Sequence, residues 1–98
     1  MTNFFPTVEY KHSSVAIATT STEIVAKKDA RRFLILQNIS DTDVDIAVGA
    51  TAVADAGIRI HANGGSFEMK PSSGNLSVLA VNGIHAGSGT KKMLVTEG

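Results

Sequence analysis

Cysteine is absent from this 98-residue sequence, and so is tryptophan. Without thiols the chain has no disulfide framework, no thiolate nucleophile and no zinc–thiolate site. Charge of one sign is also missing: nine Lys and Arg balance nine Asp and Glu, so no global field recruits nucleic acid or a membrane surface. No stretch approaches the roughly 20 apolar residues needed to span a bilayer. The N-terminus carries Asn3, Pro6 and Glu9 where a secretory signal needs a basic start and an apolar core. These features read as a chain made in a reducing cytoplasm, in which the Asn-x-Ser sequons at Asn38 and Asn75 are chance matches. A helical period is lacking as well, and no internal repeat is present.

What remains is a composition of 43% hydrophobic and 18% charged residues, typical of a globular domain. A chain of this length makes one domain, large enough for a core without metal or disulfide staples. Short strand-like runs separated by turn residues recur at 14–18, 23–26, 32–37, 44–48, 58–60, 66–69, 76–81 and 92–96. That beat predicts an all-β fold, a single antiparallel β-sandwich of jelly-roll type with about eight short strands. The sandwich is expected over 13–98, preceded by an extended N-terminal arm over 1–12.

Alternation assigns the faces. Val44, Ile46 and Val48 share one side of a strand, with Asp43 and Asp45 turned to solvent. The run Phe33-Leu34-Ile35-Leu36 is apolar on both faces and reads as a central strand covered on both sides. Residues 76–81 read similarly, and these two strands are expected to supply most of the buried area. Ser40-Asp41-Thr42-Asp43 reads as a polar hairpin connection. Asn63-Gly64-Gly65 and Asn82-Gly83 offer the positive φ angles of tight hairpin turns. Residues 50–56 have room for one helical turn, ended by Gly57.

Candidate chemistry is thin. Asp41-x-Asp43-x-Asp45 opens like a calcium loop, but Ile46 and Ala52 stand where glycine and the bidentate glutamate are required. His12, His61 and His85 share no metal-ligand spacing. No Gly-x-Ser-x-Gly elbow accompanies the serines, and Gly87-x-Gly89 lacks the third glycine and the helix of a dinucleotide site. The sequence therefore yields no catalytic residue, no cofactor and no metal.

Two features point instead to protein contact. Lys27, Lys28, Arg31 and Arg32 form the one local charge concentration, which reads first as a solvated connection between strands and, as a contact, suits an acidic partner surface. Phe4, Phe5 and Tyr10 place three of the five aromatics in the first ten residues, where Pro6 keeps the backbone extended. Such anchors dominate binding energy when they fill a partner's pocket. Strands apolar on both faces in so small a domain further predict a homo-oligomer, a trimer with Phe33 to Leu36 in or beside its core.

The motifs Phe33-Leu34-Ile35-Leu36-Gln37-Asn38, Ser40-Asp41, Val44 to Gly49, Gly57-Ile58-Arg59-Ile60, Gly64-Gly65-Ser66, Leu79-Ala80-Val81 and Met93 to Glu97 together give the stretch 32–98 a likeness. It resembles a small β-sandwich domain recurrent in structural proteins of tailed-bacteriophage virions; residues 1–31 fall outside the resemblance. The resemblance implies a non-enzymatic virion component, a capsid decoration or cement protein. Its partners would be other copies of itself, as a trimer, and the major capsid protein on the outer shell. The alternative it implies is a tail- or head-fibre module binding a cell-surface glycan. Glycan sites offer aromatic platforms, and Phe33 and Phe67 read as core residues, which weighs against that alternative.

Overall fold

A computed structural model of the chain describes residues 10–98. Eight strands fill it: β1 (Lys11–Ile17), β2 (Thr22–Val25), β3 (Leu34–Asn38), β4 (Val44–Val48), β5 (Ile58–Ile60), β6 (Gly65–Met69), β7 (Val81–His85) and β8 (Lys91–Glu97). A single 3₁₀ turn, Pro71–Ser73, is the only helical element among the described residues. No helix there is long and apolar enough to cross a membrane.

The strands form two four-stranded sheets, a front sheet in the order β1-β8-β3-β6 and a back sheet in the order β2-β7-β4-β5. All pairs are antiparallel, and β1 pairs β8, β2 pairs β7, β3 pairs β6 and β4 pairs β5. The chain is thus one long hairpin, with its tip between β4 and β5, rolled so that every connection except β4–β5 crosses between the sheets. This is jelly-roll winding. Period-2 alternation turns Ile17, Leu34, Leu36, Met93 and Val95 of the front sheet toward Ile24, Val44, Ile46, Ile60 and Val81 of the back sheet. Each of these fully buried side chains stabilises the fold by about 1.5–3 kcal/mol.

Several expectations need correction. Lys11 and His12, read as part of the arm, already pair with Glu97 and Thr96 in the front sheet, and residues 1–9 lie outside the described residues. Ser40 to Asp43 joins β3 to β4 and Asn63-Gly64 joins β5 to β6, so both turns bridge the two sheets rather than closing hairpins. At the first corner Asn38, fully buried, donates through Nδ2 to Thr42 O and Ile60 O and accepts at Oδ1 from Ser40. At the second, Asn63 and Gly64 do take positive φ, 61° and 106°.

The strand expected at 76–81 begins only at Val81 and runs to His85. Asn82-Gly83 is therefore no turn. Gly83 lies mid-strand where Ile24 crosses it, and a Cβ there would meet Ile24 Cδ1 at 2.8 Å. Leu76 and Val78 are only partly buried, so the core is shared among all strands instead of resting on two. Residues 49–57 form no helical turn. They fold back over the outside of the back sheet, where Asn82 Nδ2 donates to Ala50 O (2.6 Å) and Asp55 N–H donates to Asp45 Oδ2 (2.8 Å). Ala52 N–H reaches Ser21 Oγ at 2.9 Å in the same cover.

Candidate functional site

That cover makes the molecule two-sided. The outside of the back sheet carries the 49–57 segment, whereas no segment among the described residues lies over the outside of the front sheet. Alternation turns Leu94, Ile35, Phe33 and Ala16 outward there, so β3 is covered on one face only: Leu34 and Leu36 are buried, Phe33 and Ile35 half-buried. Leu94 remains 39% exposed. Phe33 is thus an outer-face residue, against the core position read from the sequence.

Tyr10 completes this face. Extending the β1–β8 and β3–β8 registers by one residue sets Gly98 between Tyr10 and Phe33, and Gly98 exchanges backbone hydrogen bonds with Phe33 at 3.2 Å. A residue without a side chain at that point lets the two rings meet edge to face, with centroids 4.7 Å apart. Such pairs contribute about 0.5–1.5 kcal/mol beyond burial. Tyr10 still leaves 57% of its surface open. Beside the rings runs a groove of ≈ 340 Å³ between Phe33, Ile35 and Pro71, with Arg32, Glu68 and Lys70 at its polar margin. Lys70 Nζ holds Glu68 Oε1 at 2.7 Å.

The basic cluster is divided by the fold. Lys27 is exposed and 3.6 Å from Asp29, and Lys28 lies 4.0 Å from Glu97. Arg32 reaches the groove just described. Arg31 turns the other way and its side chain is 0% exposed. Its Nε donates to Glu97 Oε2 (2.7 Å), Nη1 to Ser77 O (2.8 Å) and Leu79 O (2.9 Å), and Nη2 to Ala26 O (2.8 Å). Arg31 is therefore an internal clamp joining the β2–β3 connection, the 76–80 segment and β8. It is not a surface contact, because its side chain is fully buried and four of its five guanidinium N–H groups have partners inside. Phe4 and Phe5 lie outside the described residues.

Two polar clusters were not legible in the sequence. Asp45, only 8% exposed, faces Arg59 directly across β4 and β5. Arg59 binds it with Nε (2.8 Å) and Nη2 (3.1 Å) and also reaches Asp55 at 2.7 Å. The guanidinium hydrogen bonds hold the Asp45 carboxyl below its ordinary value, against the opposing pull of burial, and Arg59 is itself pushed up. Asp45 is thus buried and paired, not turned to solvent. Asp41 is likewise held low by the Lys91 ammonium 2.9 Å away, and Asp43 accepts from Ala62 N–H at 2.7 Å. Each carboxylate of the calcium-like triplet thereby has its own structural partner.

The second cluster is His85, buried at the end of β7. Its Nε2 donates to Gly89 O (2.8 Å) and its Nδ1 accepts from Gly87 N–H (3.1 Å), which shapes the β7–β8 loop. Among the described residues, no three His, Asp or Glu side chains gather as a metal site. Comparison with protein-family models, with curated proteins and with solved structures found no match to this chain.

Proposed function

We propose that the protein is a non-enzymatic structural component of a bacteriophage virion, a decoration protein that binds the outer capsid surface and stabilises the head. The observation that carries this reading is the outer face of the front sheet, over which no other described segment lies and on which Tyr10, Phe33, Ile35 and Leu94 stand among polar neighbours such as Ser14, Gln37 and Thr96. The fold alone serves many functions, so the face bears the argument. Tyr10, Phe33 and Ile35 adjoin one another, and an exposed apolar group rimmed by polar residues suits contact between proteins. Other copies of the chain, as a trimer, and the major capsid protein are the partners it suits. Binding across subunit seams of an assembled shell favours that shell by mass action.

The test adds purified protein to undecorated heads of the encoding phage. Co-sedimentation with the heads and a higher disruption temperature are expected. The Phe33→Ser/Leu94→Lys variant, folded by circular dichroism, is expected to lose both effects. Protein that stays in the supernatant, or is found only on tails, refutes the reading.

A second reading draws on one specific observation. Phe33 and Tyr10 form an aromatic pair beside a polar-edged groove, which is the platform a glycan-binding fibre module needs. Binding to an immobilised glycan panel, lost in Tyr10→Ala, would favour that reading over decoration.

A further inference from the structure

The side of the sandwich between β1 and β2 is open. Among the described residues β1 pairs only with β8 and β2 only with β7, so each presents a free edge; the edge of β1 closes just past its end, where Ala18 O accepts from His85 N–H at 3.4 Å. The two edges differ. β1 keeps seven consecutive pairs with β8 without a bulge, whereas β2 has four residues and a register shift between Glu23 and Val25. No backbone hydrogen bond among the described residues crosses the outer edge of β1, and Lys11 to Ser14 are exposed. A long flat edge of this kind is a template for one more strand.

Between the two edges lies a cleft of ≈ 520 Å³. Its floor is apolar, from Ile24, Val25 and Val95, and its charged margin holds Lys11, Lys27 and Lys28. The one carboxylate lining it, Glu97, is bound by Arg31 at 2.7 Å. The lysines gather where β1 begins, beside the end of β2.

We propose that this open side captures an extended segment of a partner protein as a fifth strand on β1, with apolar residues at alternate positions and carboxylates at the end that meets Lys11, Lys27 and Lys28. Alternate side chains of such a strand point into the cleft, onto Ile24, Val25 and Val95, while its backbone satisfies the free edge. The lysines select for acid and against a neutral or basic strand. A second copy of β1 is the poorer occupant, because Lys11–Ile17 reads Lys-His-Ser-Ser-Val-Ala-Ile and brings no carboxylate. This surface is separate from the outer face of the front sheet, so the inference stands whether or not the protein decorates a head.

The experiment uses the full chain and a labelled, N-acetylated peptide Thr-Val-Thr-Val-Thr-Glu-Glu-Glu, with a control in which lysine replaces each glutamate. The acidic peptide is expected to bind, more weakly as salt rises, and the basic control at least about tenfold more weakly, the sum of three modest surface charge pairs. Hydrogen exchange should show new protection in β1. The Lys11→Glu/Lys27→Glu/Lys28→Glu variant should reverse the preference between the two peptides. Methylating alternate peptide nitrogens should abolish binding without any change to the protein. Equal binding of both peptides, or protection appearing at β5 or β6 instead, overturns the proposal. So does a concentration-dependent dimer that protects β1 with no peptide present.

Discussion

Arg31 shows how far a residue's type can mislead about its role. In the sequence it belongs to a run of cations, and cations are normally solvated. In the fold it is buried, with donors to Glu97 and to three carbonyls. Removing Arg31 leaves Glu97 with only the Lys28 ammonium at 4.0 Å and takes the donor from all three carbonyls, at a cost of about 3–5 kcal/mol. Arg31→Met is therefore expected to lower the urea midpoint steeply, and Arg31→Lys to recover little, since an ammonium cannot reach four acceptors in a plane. Arg32→Met should be nearly silent. A small effect of Arg31→Met would show that the clamp is dispensable. Asp45 was equally hidden, because its partner Arg59 becomes a neighbour only when β4 and β5 pair. Its folded carboxyl is held below the ordinary value of about 3.9. The pair thus contributes stability above that unfolded-state value, and the contribution is lost as pH falls through the depressed one. Asp45→Asn should destabilise the protein at neutral pH and flatten the acid limb of the stability profile. An unchanged acid limb would assign acid sensitivity to other carboxylates.

Strands were legible wherever period 2 and local bonding agreed. β4 and β5 stand as read, and β3, β6 and β8 within one or two residues, because their apolar residues face a second sheet. Residues 76–81 failed for a physical reason. Leu76, Val78 and Ala80 alternate like a strand, but the carbonyls of Ser77 and Leu79 point to Arg31 and that of Val78 accepts from Lys28 N–H, so no ladder is available to them. β7 was missed because Asn82-Gly83 imitates a turn, whereas Gly83 is a packing residue. Adding a methyl there should cost about 1–3 kcal/mol through contact with Ile24. Ile24→Val removes the contacting Cδ1, so Gly83→Ala should cost less in that background. A double-mutant cycle reads the coupling directly, and additive costs would mean the clash is relieved elsewhere. The candidate face was half legible. Phe33 and Ile35 were expected on a doubly covered strand, and what the sequence hid was that 49–57 covers the back sheet while the front sheet stays open.

At the scale of the molecule, one face covered and the other bare among the described residues predict assembly. Sedimentation at rising concentration should give a trimer through the front sheet, and Phe33→Ser/Leu94→Lys should give a folded monomer. Wild-type protein that remains monomeric on its own and on particles would remove that surface as the seat of assembly. The pairing of β1 with β8 has a different consequence, which belongs to synthesis. Among the described strands β1 is made long before its partner β8, and β8 is also the strand that joins β1 to β3. During translation, at roughly 5–20 residues per second, β1 and β2 therefore emerge with apolar faces well before their partners β8 and β7. The β3–β6 half of the front sheet can pair earlier, but β1 joins it only when β8 arrives. A ribosome that stalls before Lys91 would hold a chain with nearly all of its core residues and no stable fold, a substrate for chaperones and proteases.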